Sequence, residues 1–353
     1  MSMAAQAESP AFITRGSGPT PPAAKPSTPA TRPASLESWL NANKAPAPAT
    51  RPWEEPALPV HTPATACGDA CDNGGLLSNS VLFGAVNAWR GPLDGPSNNN
   101  FGFVGGFNMG VPLLRSHGIG AQFGASYGGY DFHGRDDFGP ESEISSSEEQ
   151  MFFSAGVFHR CTSCCEPCGS HPDRISWGVV YDYMLTDNTS AAAAELNLGQ
   201  IRGQIGYAIN CANEIGIQGA MSDGTDDDFE ALGFRHTTRS IDQVSGFWHH
   251  VCCCSGLETR VYAGWAEDLG DWLIGANATM PINDCWSLFG GFTYIAPSSA
   301  GGDDGSREEF WNVTAGVAFY PGGNARTNSV CGHRWMPLLP VADNGSFALD
   351  LGF

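Results

Sequence analysis

Between Leu76 and Phe319 one pattern recurs: segments of strand length in which apolar and polar residues alternate. From Gln200 to Ile209, residues Ile201, Ile205, Tyr207 and Ile209 fall on one face, and Gln200, Arg202, Gln204 and Gly206 on the other. Leu257, Val261, Ala263 and Trp265 likewise oppose Glu258, Arg260 and Gly264. Trp311, Val313, Ala315, Val317 and Phe319 oppose Asn312, Thr314 and Gly316. A period of two with one apolar face specifies a sheet with one wet side.

Such segments run Leu76 to Trp89, Phe101 to Val111, Ile119 to Phe132, Gln150 to Phe158, Ile175 to Tyr183 and Gln200 to Ile209. They continue as Glu214 to Met221, Ile241 to Trp248, Leu257 to Trp265, Trp272 to Met280, Trp286 to Ile295 and Glu308 to Phe319. The expected fold is all-β: an antiparallel up-and-down transmembrane β-barrel of about 12 strands, within a range of roughly 10 to 14. Composition agrees. Charged residues are 15%, below the usual quarter, while Gly reaches 45 residues and Pro 24, as short strands with tight turns require. No stretch of about 18 apolar residues exists, so no helix of this chain is expected to span a membrane. Barrel strands carry a weaker, averaged signal, and the mean hydropathy of −0.18 fits it.

Alternation alone also fits a soluble sandwich, and the connections favour the barrel. After odd-numbered segments they are mostly long and acidic, with Asp136, Asp137, Glu141, Glu143, Glu148 and Glu149 in one and Asp223, Asp226, Asp227, Asp228 and Glu230 in another. Asp303 and Asp304 lie in a third. After even-numbered segments they are mostly short, as at Leu114 to Gly118, Asn210 to Asn213 and Pro281 to Asp284. Long loops on one rim and short turns on the other is an outer-membrane arrangement. Glu267 to Gly270 and Arg160 to Arg174 depart from it. Trp89, Trp177, Trp248, Trp265, Trp272, Trp286 and Trp311 sit near segment ends, where rings with a polar edge favour the membrane–water boundary.

Residues 1–7 read as the remnant of a signal peptide, since Ala5-Gln6-Ala7 has the small-residue pattern of a cleavage site without the charged and apolar regions before it. Residues 8–75 form a Pro/Ala-rich stretch expected to be a disordered linker, and residues 76–353 the barrel domain. The last residues alternate as Phe347, Leu349, Leu351 and Phe353, similar to the C-terminal strand signal of barrel proteins. Pro337 and Pro340 shorten this run to either a closing strand or a tail tucked against the barrel.

Three segments carry a resemblance across residues 76–353: Asn87-Ala88-Trp89-Arg90-Gly91-Pro92-Leu93-Asp94, Gly118-Ile119-Gly120-Ala121-Gln122, and Met336-Pro337-Leu338-Leu339-Pro340-Val341-Ala342-Asp343-Asn344-Gly345. The chain resembles an uncharacterised family of bacterial outer-membrane β-barrel-like proteins. No activity and no functional residue travels with the resemblance.

The 12 cysteines invite two chemical readings. Cys67 and Cys71 fall in the linker. Cys161, Cys164, Cys165, Cys168, Cys211, Cys252, Cys253, Cys254, Cys285 and Cys331 all fall on the short-turn rim or in the tail. An even count in an oxidising compartment favours disulfides tying turn to turn. Cys161, Cys164, Cys165 and Cys168 also have spacing suited to a tetrahedral thiolate metal site, with His159, His171, His249 and His250 nearby. Pairing cannot be read from spacing.

Arg202, Gln204, Glu258, Arg260 and Asn277 are expected to face the lumen, where they tune ion passage or bond across a filled interior. The Asp223 to Glu230 run lacks the Gly and terminal Glu placement of a calcium loop and reads as a solvated loop. The net charge of −20 leaves no footprint for nucleic acid. No cofactor motif and no catalytic motif of the serine-hydrolase, zinc-protease or phosphate-loop kind occurs, so the chain is read as a non-enzyme without a cofactor. The expectation is a porin-like narrow pore or structural component of the outer membrane of a two-membraned bacterium. Its partners would be outer-membrane lipid, small ions or solutes, and a periplasmic envelope partner. The rival is a secreted or surface-located all-β binding protein without a pore. Third is a barrel enzyme acting on lipid or peptide through His133 or His236.

Overall fold

The structure is a computed structural model. It describes residues 76–91, 100–131, 135–136, 143–144, 147–162, 173–189, 194–231, 234–266, 271–296 and 310–352. Residues 1–75, expected as a signal remnant and linker, lie outside the described residues, as does Phe353.

A short 3-10 turn, Leu76–Asn79, leads into β1 (Ser80–Arg90), β2 (Asn100–Leu114) and β3 (Ile119–Tyr130). After a two-residue pair, β4 (Arg135–Asp136) with β5 (Glu143–Ile144), come β6 (Glu148–His159), β7 (Ile175–Thr189), β8 (Ala194–Asn210) and β9 (Asn213–Ser222). The strands β10 (Thr225–Ala231) and β11 (Phe234–Ser240) follow, then β12 (Gln243–Val251), β13 (Glu258–Ala266), β14 (Asp271–Pro281), β15 (Trp286–Ala296), β16 (Phe310–Phe319) and β17 (Leu349–Gly352).

Twelve strands close an antiparallel barrel: β1, β2, β3, β6, β7, β8, β9, β12, β13, β14, β15 and β16. Each pairs with its neighbours in sequence, and β1 seals the ring against β16 with Leu82 opposite Phe319 and Arg90 opposite Trp311. All twelve alternating segments are strands. The strands β7 and β8 pair as far out as Thr189 and Ala194, so part of the long connection expected there is strand.

Alternation maps directly onto the wall. In β8, Gln200, Arg202 and Gln204 are buried inside, while Ile201, Ile205 and Tyr207 are exposed outside. The same holds around the ring, where Val86, Phe123, Phe153, Ile217, Ile274 and Val317 form an exposed apolar belt. A soluble protein does not leave so continuous an apolar surface uncovered. Trp248, Trp265, Trp272 and Trp286 are exposed on this outer face. Trp89 departs from the expected boundary ring: it points inward, 3% exposed, edge-on to Tyr130.

Barrels of about eight strands are filled by side chains and those of about 16 to 18 leave a channel, so twelve strands enclose an intermediate lumen. Here the chain after β16 fills part of it. Tyr320 donates its backbone N–H to the Cys285 carbonyl (2.7 Å) and Val330 to that of Cys211 (2.8 Å), both at the short-turn rim. The segment then climbs the lumen to the opposite rim. There the Ile241 N–H donates to the Ala348 carbonyl (2.8 Å), and β17 pairs with β11 in the sheet β10-β11-β17. The terminal run is therefore not a closing strand but a tail tucked against the barrel from within. It threads the barrel.

Candidate functional site

A threaded segment without regular structure brings buried backbone groups that need partners. Inward polar side chains provide them. Gln122 donates to the Leu339 carbonyl (2.8 Å) and accepts from the N–H groups of Leu338 (3.0 Å) and Leu339 (3.2 Å). Asn108 donates to the same carbonyl, and the Ser154 hydroxyl accepts from the Ala342 N–H (3.0 Å). Gln200 and Gln243 both donate to the Ser346 carbonyl. Two glycines make room: a Cβ on Gly110 would lie 2.0 Å from the Trp335 carbonyl oxygen, and one on Gly124 2.5 Å from a Val341 methyl.

At the short-turn rim Cys161 and Cys331 form a disulfide across 170 residues. Beside it Arg160 donates to the carbonyls of Met336 (2.9 Å), Pro337 (2.5 Å) and Cys331 (3.4 Å). Desolvation pushes its guanidinium below the ordinary value, opposed by the carboxylates of Glu258 and Glu214. At the long-loop rim the seal is apolar. Phe347 and Leu349 pack with Phe152, Met184, Leu196 and Leu198, and Ala348 packs with Ile241, Leu273, Ile295 and Phe310.

The threaded segment leaves a chamber of about 470 Å³ beside it. All five residues expected to face the lumen, Arg202, Gln204, Glu258, Arg260 and Asn277, line this chamber. Arg202 is bound in place by Asp182 (2.9 and 3.1 Å) and donates onward to the Pro340 carbonyl (2.7 Å). Arg260 donates to Gln204 (2.8 Å) and Gln218 (3.4 Å), with its guanidinium carbon 4.3 Å from the centre of the Phe247 ring. Asn277 faces inward yet is exposed, so this part of the lumen is open space.

Sequence reasoning missed a second cluster in the same chamber. Glu214 accepts from the Ser176 hydroxyl and holds Nδ1 of His249 (3.0 Å). The other ring nitrogen faces Glu258 at 3.6 Å. Spacing groups His249 with the turn histidines, but it is an inward residue of β12 one position before His250, whose ring faces Asn213 (3.0 Å). The inward parity of the strand was the available signal. Glu214 stands between Ser176 and His249, so this trio lacks the direct hydroxyl–imidazole contact that a nucleophilic serine needs.

Several cysteine expectations change. Cys161 is committed to Cys331 and so is not a thiolate available to the Cys161, Cys164, Cys165 and Cys168 set. Cys164, Cys165 and Cys168 lie outside the described residues, with His171. Among the described residues no group of three or more His, Cys, Asp or Glu is placed to hold a metal. Cys211 is disulfide-bonded. Cys252, Cys253, Cys254 and Cys285, all disulfide candidates, are free thiols. The first three occupy one tight turn, closed by the Gly256 N–H on the Cys252 carbonyl and the Cys252 N–H on that of Leu257 (both 2.8 Å), which turns Cys253 and Cys254 to solvent. His159 pairs with Asp173 (2.6 Å). His133 and the side chain of His236 lie outside the described residues.

A closed barrel with an apolar outer belt and a polar interior is the architecture of outer-membrane β-barrel proteins. The chain belongs to the family of unknown function DUF6666, whose description matches residues 79–349. No curated protein matches it. It is similar to a KdgM porin in complex with disordered oligogalacturonate at 6% identity and a TM-score of 0.36, covering 68% of this chain and 98% of that one. It is also similar to the COG4313 outer membrane channel from Pseudomonas putida F1, at 11% identity and TM-score 0.41, over 68% and 93% of the two chains. Outer membrane phospholipase A from Escherichia coli is a third, at 8% identity and TM-score 0.36, over 68% and 92%.

Proposed function

We propose that this chain is a self-plugged barrel of the outer membrane of a two-membraned bacterium, with a passage for small ions or solutes that its own C-terminal segment narrows or shuts. One observation carries the reading: residues 320–349 cross the lumen from one rim to the other, held by side chains of the wall at each level. The outward apolar belt supports lipid as its surrounding solvent, and the long-loop rim is taken as the outer one. The free thiols on the short-turn rim suit contact with a periplasmic envelope partner. The internal carboxylates and histidine are read as wall chemistry and not as a catalytic set, because the imidazole meets carboxylates on both sides.

Planar-bilayer conductance tests this. Protein refolded in detergent under oxidising conditions is compared with a chain ending after Gly323. The full chain is expected to show no steps, or small brief ones, and the shortened chain discrete larger ones. Large, sustained steps from the full chain would mean that the lumen is an open pore and the segment not a plug.

A further inference from the structure

We propose that the chamber beside the plug binds a small carboxylate solute, with Arg260 as the charge that receives it and Gln204 as a second donor.

The charges facing this chamber are mostly spent. Arg202 is paired with Asp182. Arg160 gives its donors to three backbone carbonyls of the threaded segment. Glu214 and Glu258 flank His249 at 3.0 and 3.6 Å. Asp343 accepts from its own turn, from the N–H and hydroxyl of Ser346 (both 2.9 Å). Arg260 differs. Its only hydrogen bonds among the described residues are from one guanidinium nitrogen, Nη1, to two neutral amide oxygens. No carboxylate of the described residues forms an ion pair with it. The Phe247 face, 4.3 Å away, holds the guanidinium plane, and so fixes a planar fork of donors.

Gln204 supplies an independent observation. It is 7% exposed and lines the chamber. Arg260 can only donate, so the Gln204 oxygen must face it, and the amide nitrogen is turned the other way. That nitrogen is buried with no acceptor among the described residues. Glu214 and Glu258 act on this guanidinium through space but do not touch it, so its remaining donors and the unmet amide donor of the neighbouring Gln204 are open to an acceptor carrying negative charge, and a carboxylate matches the fork in two parallel hydrogen bonds. About 470 Å³ suits a small solute, and Asn277, Thr279, Thr293 and Thr314 offer neutral polar groups to the rest of it.

The test is calorimetric titration of the full chain in detergent with sodium succinate at constant ionic strength, beside its neutral analogue succinamide. No conductance is needed, so the outcome is separate from whether the plug moves. Saturable succinate binding, at least tenfold weaker succinamide binding, and at least tenfold loss in Arg260→Gln are expected. Gln204→Leu, which keeps the guanidinium, should weaken succinate about threefold to tenfold and covers the case in which Arg260→Gln does not fold; unboiled mobility in SDS reports folding of both. The proposal is overturned if succinate does not bind saturably, if succinamide binds equally well, or if folded variants bind as the parent does.

Discussion

Gln122 shows how a single inward position can carry the plug. Its amide answers one carbonyl and two N–H groups of Leu338 and Leu339, so a substitution leaves both N–H groups unmet in the lumen, while the Leu339 carbonyl keeps its bond from Asn108. Gln122→Leu is expected to destabilise by about 1–3 kcal/mol, because an unsatisfied buried polar group costs its desolvation. Urea unfolding in detergent, followed by tryptophan fluorescence, measures it, and an unchanged midpoint would show that the segment is not held there. Cys252 makes a different point. Hydrogen bonds from the Ser255 hydroxyl and then from the backbone N–H groups of Ser255 and Cys254 hold its thiol below the ordinary value. The thiolate therefore persists to lower pH than in an unassisted cysteine, and thiolate is the reactive form. As pH is lowered from 9 to 7, iodoacetamide labelling of Cys252 should fall less than that of free N-acetylcysteine labelled alongside, as read by mass spectrometry.

At the scale of elements, strand identity was legible and the plug was not. Alternation in β8 or β16 states inside and outside residue by residue, because the strand period is two and one face meets lipid. The expected lumen residues follow from that parity alone, and so would Glu214 and His249 had their strands been phased the same way. Residues 320–348 have no period. Their contacts are side chains reaching backbone groups over sequence separations such as 217 for Gln122 with Leu339, which no local pattern records. In sequence Pro337 and Pro340 shorten a strand run; in the structure they sit in the threaded segment and lack N–H groups that would need partners in the lumen. The fit of wall to plug makes its own prediction. Gly110→Val places a branched side chain where the Trp335 carbonyl lies, with backbone on both sides and little to give way. The threaded segment should be displaced, seen as larger conductance steps and as new protease cleavage between residues 325 and 345. A variant as resistant and as quiet as the parent would refute the close fit.

For the whole molecule, the threading changes which compartment each end of the barrel domain meets. An even number of strands returns both ends of a barrel to one rim, and Leu76 and Tyr320 do share the short-turn side. The plug adds one more traverse, so the count becomes odd and Leu349 emerges on the rim opposite Leu76. With the long-loop rim outward as proposed above, parity sets where an appended sequence is displayed. A short epitope fused after Phe353 should be reached by antibody on intact cells, whereas one inserted before Leu76 should need permeabilised cells. A folded domain fused at the same C-terminal point would have to pass the ring or wait for it to close around the thread, so the size of the fusion, more than its chemistry, should limit what this end can carry.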